Sequence, residues 1–578
     1  MVKVDDLAIK IGGQAGDGSL ATGEVLAKAY KKMGLNVATD KDFPSRIRGG
    51  HTSYTIRGAK KSVYSIGNNI DVLLAFDEDS IKIDLPELAD DGVLIFDNSK
   101  ADLNIQPNNF KIYKIPLANM AKTELGLELI KNTLALGVIK VLFDLDSNVF
   151  KDTIKEMYSN KSAKIIDENI KAFELGEAYA SEHFEKVSNY KVQKYEDSKE
   201  RMLIMGNEAI GIGAIIAGCR FIAAYPITPA SDILEYMARF LPEQMGVAIQ
   251  AEVEIAAVNM AIGASYAGAR AMTVTSGPGL DLKTEAIGLA GMIETPLVIV
   301  EAQRAGPSTG MPTKTEQSDI NHVTVGGHGE IPRIVIVPGT VEEAFYFTVS
   351  AFNFADKYQC PVIILTDELI SWNKQTTRRF DLDKLSIDRG KLLLNIDSID
   401  REFKRYSFQE DGISPRPIPT VKNGVHLETG DEHDEYGHIT EKVDLRNRMM
   451  QKRMHKLDIA AKELYDCVTY GEESENIVIG IGSTKGPILE AMEYLKDKRI
   501  NLKFVRIRTL WPFPAEELRG LLKNAKRIFV VENNYTAQLA TLIRSQLGTL
   551  NIISILKYDG RAFKPRDIYK KIEEVIKQ

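Results

Sequence analysis

The chain has 578 residues, of which 44% are hydrophobic and 26% are charged, and its net charge is −7. This length is too great for one hydrophobic core and predicts about three to five domains. The ordinary composition and the small acidic excess argue against a chain that is attracted as a whole to nucleic acid or to an anionic membrane.

The apolar runs and the cysteines bear on the cellular location of the protein and on whether it carries disulfides or metal clusters. The longest apolar runs, such as Pro296–Val300, fall short of the roughly 18–20 residues that cross a bilayer. The N-terminus lacks a basic segment followed by an apolar one, so we expect a cytoplasmic protein with no membrane and no nucleic-acid partner. Cys219, Cys360 and Cys467 are far apart. The sequence therefore predicts neither disulfides nor a cysteine-bound cluster, and any redox cluster should lie on another chain.

Residues 1–190 alternate between strand-like and helix-like segments, which predicts a first α/β domain. Residues 191–201 are polar and charged, as is typical of a linker. The elements expected in this domain are a strand at Asp6–Ile11, a glycine-rich loop at Gly12–Gly18, a helix at Ala21–Met33, and strands at Val72–Phe76 and Val93–Phe96.

Residues 202–383 and 457–578 predict two more α/β domains, separated by residues 384–456, which we expect to be an irregular excursion or linker. Continuous β-branched runs are typical of parallel strands that are covered on both faces. In the second domain they occur at Leu297–Glu301, Ile331–Val337 and Pro361–Thr366. The third has strand candidates at Asn476–Ile481, Leu502–Ile507 and Arg527–Val531.

A turn bracketed by two prolines is the most distinctive segment of the second domain. Tyr225-Pro226-Ile227-Thr228-Pro229 lies between an apolar run and a helix start. Proline fixes its own φ and restricts the residue before it, so the turn should hold Thr228 in place. Ser231 or Asp232 could cap the helix that follows. Taken alone, the pattern also fits an ordinary strand-to-helix turn.

An alanine-rich helix is expected over Glu252–Ala269. Residues two apart on a helix point to nearly opposite sides, so at most one of Glu252 and Glu254 can face a given pocket. The helix dipole also favours acids at this end of a helix. The small residues that follow would let another backbone or a flat ligand approach closely.

Two loops of the second domain are candidates for ligand contact. Thr275–Gly279 follows a strand directly, where open α/β sheets commonly bind ligands. Gly306–Gln317 is dense in glycine, proline and hydroxyl residues and carries Lys314, which favours a binding loop. A plain turn and a solvated loop are the simpler alternatives.

The first domain contains two further candidate segments. Its glycine loop lies between a strand and a helix, where backbone amides can bind a phosphate, although it matches neither Gly-x-Gly-x-x-Gly nor the P-loop. A second segment places two arginines beside a flexible pair of glycines, an arrangement that suits phosphate or carboxylate contacts. The residues concerned are Gly16, Asp17, Gly18 and Ser19 in the loop, and Arg46 and Arg48 beside Gly49-Gly50.

The order of these motifs resembles the fused γ–α subunits of 2-oxoacid:ferredoxin oxidoreductases, most closely the 2-oxoglutarate type. The resemblance covers almost the full chain, and the most specific segments are Tyr-Pro-Ile-Thr-Pro and Gly-Pro-Ser-Thr-Gly-Met-Pro-Thr-Lys-Thr-Glu-Gln. Also matched are Gly-Gly-Gln-Ala-Gly-Asp-Gly, Ser-Arg-Ile-Arg-Gly-Gly-His, Ala-Glu-Val-Glu-Ile-Ala-Ala and Thr-Ser-Gly-Pro-Gly. The resemblance implies a γ-type domain on the coenzyme A side, a central domain like the pyrimidine-binding domain of thiamine-diphosphate enzymes, and a last domain like the transketolase C-terminal domain.

The resemblance further implies an activity and its partners. An alpha subunit of this kind oxidatively decarboxylates a 2-oxoacid, here 2-oxoglutarate by first choice, with coenzyme A, and forms acyl-CoA, CO₂ and reduced ferredoxin. Thiamine diphosphate would be shared with a beta subunit, which would carry Mg²⁺ and a four-iron four-sulfur cluster. Two alpha and two beta chains would form a heterotetramer.

Roles for single residues follow from the same resemblance. Glu254 would bind the aminopyrimidine ring nitrogen and activate the cofactor, near Tyr225 and Pro226. Thr228 and Lys314 would hold the substrate carboxylate. Many relatives have arginine where this chain has Lys314, and a lysine is a single-point donor instead of a bidentate fork.

Two ligand contacts in the first domain are also implied by the resemblance. The second carboxylate of 2-oxoglutarate would need another cation, for which Arg46, Arg48 and the beta subunit are all candidates. Coenzyme A would contact the loop from Gly16 to Ser19, which includes Asp17 and Gly18.

Two alternatives stay open at this point. The same chemistry could act on pyruvate, a branched-chain oxoacid or indolepyruvate. The chain could also be a non-catalytic scaffold or regulatory subunit that shares the fold.

Overall fold

The computed structural model describes residues 3–44, 49–100, 109–195, 201–396 and 402–578. The chain forms two compact units: residues 1–204, 373–379 and 564–566 make the first, and residues 205–372, 380–563 and 567–578 make the second. Both alternate strands and helices, so the predicted α/β class is confirmed. Within the described residues, no helix is both long and apolar enough to cross a bilayer.

The elements up to residue 204, short 3₁₀ turns aside, are strands β1 (Lys3–Val4), β2 (Asp6–Gln14), β3 (Asn36–Asp42), β4 (His51–Ala59), β5 (Ile70–Ala75), β6 (Leu88–Asp97), β7 (Lys111–Ile115), β8 (Tyr190–Lys191) and β9 (Arg201–Ile204), with helices α1 (Ser19–Lys32), α2 (Glu78–Asp84), α3 (Leu117–Leu125), α4 (Lys131–Leu142), α5 (Ser147–Met157) and α6 (Ala163–His183).

The strands that follow are β10 (Cys219–Ala224), β11 (Val247–Gln250), β12 (Arg270–Thr275), β13 (Leu297–Gln303), β14 (Ile334–Ile336), β15 (Pro361–Asp367), β16 (Gln375–Arg378), β17 (Leu392–Leu393), β18 (Arg416–Pro417), β19 (Val468–Tyr470), β20 (Asn476–Gly480), β21 (Lys503–Arg506), β22 (Thr509–Trp511), β23 (Arg527–Glu532) and β24 (Ile552–Leu556).

The helices of the same part are α7 (Gly206–Ile216), α8 (Ser231–Phe240), α9 (Glu254–Tyr266), α10 (Pro278–Met292), α11 (Ile320–Val325), α12 (Val341–Tyr358), α13 (Glu368–Trp372), α14 (Val443–Ala460), α15 (Lys485–Asp497), α16 (Ala515–Leu521), α17 (Gln538–Leu547) and α18 (Pro565–Lys577).

The first unit is built on a mixed sheet with the strand order β7-β6-β5-β2-β4-β3-β16-β9. β2 pairs in parallel with β5 and antiparallel with β4. It extends to Gln14, so the predicted loop over Gly12–Gly18 is wrong at its start. Gly12 fits inside the strand because a Cβ there would lie 2.7 Å from Asp84 Oδ2, a space that only glycine leaves free.

The strand β16 enters this sheet from far along the chain and pairs antiparallel with β3 and β9. Its sequence, Gln-Thr-Thr-Arg, is short and polar, so hydrophobic periodicity gave no signal for it. Residues 373–379 therefore belong to the first compact unit, although they fall inside the segment 202–383 that we assigned to the second domain.

The second unit contains a seven-stranded sheet in the order β11-β10-β12-β13-β15-β14-β22 and a five-stranded sheet in the order β19-β21-β20-β23-β24. The prediction of parallel strands from three β-branched runs is confirmed, since β13, β14 and β15 pair in parallel and are fully buried. Of the described strands in these two sheets, only β22 and β19, each at the edge of its sheet, run antiparallel to their neighbours.

The helix α14 lies largely inside the segment that we expected to be irregular. It was missed because its buried face is charged: Lys452 and Lys456 are 5% and 0% exposed, and so an apolar stripe is lacking. Both ammonium groups bind the buried Glu294, with distances of 2.5 Å from Lys452 Nζ to Oε1 and 3.2 Å from Lys456 Nζ to Oε2.

The charge state of Glu294 follows from these neighbours. Burial by itself would raise the pKa of its carboxyl group, but Lys452 and Lys456, together with Arg405, outweigh burial and hold the pKa well below the ordinary value of 4.5. A carboxylate whose pKa is depressed on folding stabilises the folded state above its ordinary pKa, and that contribution is lost as the pH falls.

We expect Glu294→Ala to lower the free energy of unfolding by about 3–5 kcal/mol at pH 7, because two buried ammonium groups lose their counter-charge. The difference from the wild type should shrink as the pH is lowered through 4.5 and below. Chemical unfolding of the full chain at several pH values measures both effects.

Glu473→Ala is the matched control. Glu473 pairs with Lys503 at 2.7 Å but is 86% exposed, so its loss should cost at most about 1 kcal/mol. Equal losses in the two variants would contradict the role assigned to the buried cluster.

Candidate functional site

The proline-bracketed turn joins β10 to α8 in the second unit, and two side chains hold its backbone. Arg304 Nη1 donates to the carbonyl oxygen of Thr228 at 2.8 Å, and Asn207 Nδ2 donates to that of Pro229 at 2.7 Å. Thr228 is half-buried, whereas Tyr225 and Pro226 are exposed. The turn therefore presents a fixed polar backbone beside an exposed aromatic ring.

The predicted cap of the following helix is wrong. α8 begins at Ser231 after Ala230, and no side chain caps it. Asp232, in the first turn, accepts a hydrogen bond from Trp372 Nε1 at 2.6 Å instead. The Asp232 carboxylate therefore binds the indole N–H of Trp372 on α13 and does not cap α8.

Glu254 is the buried member of the acidic pair. α9 begins at Glu254 and not at Glu252, which lies in the preceding bend and is exposed. Glu254 is only 6% exposed. The carboxylate lies against Gly279 of α10, where an added Cβ would be 2.9 Å from Glu254 Oε1 and 2.2 Å from Thr275 Oγ1. Gly279 therefore has to be glycine for the carboxylate to occupy this position.

The loop from Thr275 to Gly279 connects β12 to α10 and is fixed by a buried acid. Gly277 N–H donates to Glu301 Oε1 at 2.6 Å, while a Cβ on Gly277 would meet nothing within 4 Å. The hydroxyls of Thr275 and Ser276 are buried without a hydrogen-bond partner among the described residues. The loop thus leaves open space and unsatisfied polar atoms at the carboxyl end of β12.

A cavity of about 440 Å³ adjoins this loop. Its lining combines Gly277 with Arg304 and three acids, Asp281, Glu316 and Asp319. Burial, followed by the charges of Asp281 and Glu316, raises the pKa of Asp319 to about 7. This shift favours the neutral form of Asp319 and reduces the negative charge around the Arg304 guanidinium.

Arg304 is the site residue that we missed in the sequence. It is 6% exposed, contacts the Thr228 turn, and its Nε has no hydrogen-bond partner in the described part of the chain. A signal was available, because a cation directly after the buried strand β13 falls at the carboxyl edge of the sheet, where ligands bind.

Lys314 lies in the loop that follows. Ala305 N–H donates to its carbonyl oxygen at 2.9 Å, and its own N–H donates to that of Met311 at 3.1 Å. Its side chain lies against Gly560, where a Cβ would be 3.0 Å from Lys314 Cβ. The cation with an observed contact to the Thr228 turn is Arg304, whereas the pairing of Thr228 with Lys314 stays a prediction.

The glycine loop of the first unit is a separate candidate. Gly16 and Gly18 have φ of 95° and 91°, a conformation that favours glycine. Asp17 uses its carboxylate inside the loop, accepting from Gln14 N–H at 2.8 Å and from Ser19 N–H at 2.9 Å. These two amides are therefore not available to a phosphate.

The segment that contains Gly49-Gly50 contacts this glycine loop within the same unit. Ala15 N–H donates to the carbonyl oxygen of Gly50 at 3.1 Å, and Gln14 pairs with His51 across β2 and β4. The fold thus joins two motifs that are distant in sequence. Arg46 and Arg48 themselves lie outside the described residues.

Comparison with known proteins decides the family. Residues 8–179 match the family described as pyruvate ferredoxin/flavodoxin oxidoreductase, residues 212–452 its thiamine-diphosphate-binding family, and residues 474–568 pyruvate:ferredoxin oxidoreductase core domain II. A 2-oxoacid:ferredoxin oxidoreductase alpha subunit of Aeropyrum pernix is 32% identical over 99% of this chain and 98% of its own. The chain belongs to the 2-oxoacid:ferredoxin oxidoreductase alpha subunits.

Two other members of the family bear on the substrate. The 2-oxoglutarate synthase subunit KorA of Methanothermobacter thermautotrophicus is 35% identical over 64% of this chain and 98% of its own. The solved 2-oxoglutarate:ferredoxin oxidoreductase of Magnetococcus marinus, with 2-oxoglutarate, coenzyme A and succinyl-CoA bound, is 34% identical. It covers 99% of this alpha subunit and 100% of its own chain, with a TM-score of 0.94.

We expect Gly279→Ala to reduce oxidoreductase turnover by roughly a hundredfold under the role that we propose below for Glu254, because a displacement of about 1 Å in an active site has effects of this size. The new methyl group would displace the Glu254 carboxylate or Thr275. Viologen or ferredoxin reduction by the assembled enzyme measures the loss.

Gly288→Ala on the same helix is the control. A Cβ there meets Ile331 Cδ1 at 3.5 Å, an ordinary contact, so turnover should be unchanged. Similar activity in both variants would show that the close approach of Gly279 to Glu254 has no role in catalysis.

Proposed function

We propose that this alpha subunit acts with a beta subunit and thiamine diphosphate as a 2-oxoglutarate:ferredoxin oxidoreductase. The reaction converts 2-oxoglutarate and coenzyme A into succinyl-CoA and CO₂, and the two electrons released reduce ferredoxin. The observation that carries the proposal is the position of Glu254, a buried carboxylate beside Gly279. The preceding loop binds Glu301 through Gly277 N–H and lines a cavity together with Arg304.

The residues around Glu254 fit the aminopyrimidine ring of thiamine diphosphate. The Glu254 carboxylate has no side-chain hydrogen-bond partner in the described ranges, and a buried carboxylate needs one. Gly277 and Gly279 keep the adjoining space free of side chains. The cofactor, when bound, supplies the nucleophilic carbon and accepts the electron pair left by decarboxylation.

Glu254 contributes a hydrogen bond to a ring nitrogen in this arrangement. Glu254 would hold a proton between its carboxylate and that nitrogen, and burial would keep the hydrogen bond strong because water would not compete for it. Exposed Tyr225 and Pro226 on the neighbouring turn are proposed as further contacts to the cofactor.

The carboxylate next to the keto group of the substrate is assigned to Thr228 and Arg304, with Lys314 as an additional cation. Arg304 donates to the Thr228 carbonyl oxygen at 2.8 Å, and its Nε has no partner among the residues that the structure describes, so part of the guanidinium is proposed to bind an anion. The second carboxylate of 2-oxoglutarate is assigned to Arg46 or Arg48, or to a cation of the beta subunit.

The surface around Glu254 supports completion of the site by another chain. Ile255 and Met260 on α9 and Leu282 on α10 are 50%, 42% and 48% exposed. Large exposed apolar side chains close to a polar site fit an interaction surface. The beta subunit is proposed to cover them and to carry Mg²⁺ and a four-iron four-sulfur cluster, in an assembly of two alpha and two beta chains.

Coenzyme A is proposed to bind at the first unit, along the loop from Gly16 to Ser19 with Asp17 and Gly18. Support comes from the family, since the Magnetococcus marinus enzyme has coenzyme A and succinyl-CoA bound. The backbone at Gly16 is open, since an added Cβ would meet nothing within 4 Å, and Gly50 adjoins the loop through the hydrogen bond from Ala15 N–H. Residues 1–190, 202–383 and 457–578 remain our proposed domains, with residues 191–201 and 384–456 between them.

We expect Glu254→Gln to lower turnover with 2-oxoglutarate at least about a hundredfold, because an amide cannot share a proton with the ring nitrogen as a carboxylic acid does. Ferredoxin reduction by the assembled enzyme measures the change. The control is Glu252→Gln, two residues earlier and exposed, which should keep wild-type turnover. Unchanged turnover in Glu254→Gln would favour a scaffold or regulatory subunit instead.

The substrate is tested with a panel of 2-oxoglutarate, pyruvate, a branched-chain oxoacid and indolepyruvate, each with coenzyme A. We expect the highest kcat/KM for 2-oxoglutarate, and an absence of turnover with it would refute this choice. Arg304→Gln should raise KM for all four by about tenfold or more, because all share the 1-carboxylate. A rise confined to 2-oxoglutarate would instead assign Arg304 to the distal carboxylate.

A further inference from the structure

Lys283 is a fully buried lysine beside Glu254. It lies on α10 and is 0% exposed. Its Nζ donates a hydrogen bond to the carbonyl oxygen of Glu254 at 3.2 Å. Lysine is almost never fully buried unless its charge is paired or used, so its place next to the proposed activating carboxylate calls for a physical explanation.

Helix α10 contacts Glu254 at two places, one helical turn apart. Gly279 lies against the carboxylate, and Lys283, four residues later on the same face of the helix, binds the backbone carbonyl. α10 therefore fixes both ends of the same residue. The glycine leaves room for the carboxylate, and the lysine holds the first turn of α9.

The charged groups that face Lys283 come from two other elements. Glu254 stands at the start of α9 and Glu301 on β13, and the charges of Asp319 and Arg304 also act on Glu301. Burial lowers the pKa of Lys283 to about 8, although both glutamates act in the opposite direction. The ammonium thus loses its charge within the pH range in which enzymes are assayed.

We propose that Lys283 is a positioning residue for Glu254, through the hydrogen bond from its Nζ to the Glu254 carbonyl oxygen and through the interaction of its buried positive charge with that glutamate. The proposal rests on the proposed function, in which Glu254 activates the cofactor. A nearby cation stabilises the charged form of a carboxylate. Glu254 is left charged when its proton resides on the ring nitrogen, and Lys283 stabilises that arrangement.

The first test uses the enzyme assembled with its beta subunit and thiamine diphosphate. The readout is the rate at which the acidic ring proton of the bound cofactor exchanges with deuterated solvent, measured by rapid quench and NMR between pH 6 and about 9.5. A neighbouring charge that changes a pKa by about one unit changes the protonation equilibrium about tenfold. We therefore expect the ring proton to exchange about tenfold more slowly in Lys283→Met than in the wild type at pH 7.

The pH profile separates charge from packing. The wild-type rate should fall above a pH of about 8, where Lys283 loses its proton. In Lys283→Met this alkaline fall should be absent, and in Lys283→Arg, whose guanidinium stays charged, the rate should hold to higher pH. A wild-type rate and profile in Lys283→Met would overturn the proposal. Should Lys283→Met fail to fold, a Lys283→Arg profile with an unchanged alkaline fall would overturn it as well.

The second test needs no cofactor. In the alpha chain alone, hydrogen–deuterium exchange reports on Val258, whose N–H bonds to the carbonyl of Glu254 in a regular helix. Lys283→Met should raise its exchange rate severalfold. Lys485→Met is the matched control, since burial also lowers the pKa of Lys485 to about 8 but Lys485 lies on α15. Equal exchange at Val258 in both variants would contradict a local role for Lys283.

Glu254→Gln distinguishes failure of this inference from failure of the proposed function. If ring-proton exchange in Glu254→Gln equals that of the wild type, Glu254 is not the activator and the proposed function fails. If Glu254→Gln loses exchange while Lys283→Met changes neither readout, the function stands and the positioning role is refuted.

Discussion

The close approach of α10 to the start of α9 is the constraint on which the site depends. Gly279 allows the Glu254 carboxylate into a space that any other residue would fill. The strands β11 and β12 precede these two helices and bring their starts to one edge of the sheet, because both strands pair in parallel with β10. The Gly277 loop and Arg304 line one cavity at this edge, and the Glu254 carboxylate lies beside Gly279 of the helix that follows the loop, as expected for the carboxyl edge of an open α/β sheet.

The protein buries two glutamates whose carboxyl groups have opposite pKa shifts. Glu294 is surrounded by cations and stays ionised, whereas Glu301, buried next to Asp319, has a pKa well above the ordinary value. The two glutamates are equally inaccessible to water, so the balance of neighbouring charges decides the difference: cations outweigh burial at Glu294, whereas at Glu301 burial and Asp319 outweigh Lys283 and Arg304. The first cluster stabilises a helix with a polar buried face, and the second lies where ligands are expected.

Much of the fold followed from the sequence, because β-branched runs and small-residue helices leave strong patterns. The β13, β14 and β15 strands and the helix α9 were predicted within a few residues. Two elements were not: α14 buries lysines in place of an apolar stripe, and β16 is too short and polar for periodicity to show which sheet it joins. Both are held by partners distant in sequence, which local patterns cannot reveal. At the site, local motifs indicated Glu254 and Thr228, but the contact between Arg304 and Thr228 joins residues 76 positions apart.

The strand β16 also bears on how this protein can be divided. The sheet of the first unit takes in residues 375–378 between β3 and β9, so a gene fragment that ends at residue 204 would encode that sheet with a missing inner strand. The unpaired edges of β3 and β9 would then expose backbone donors and acceptors, and such edges promote aggregation. Separation of the two units into independent polypeptides would therefore require a substitute strand or a new edge with charged residues, and not merely a cut in the linker.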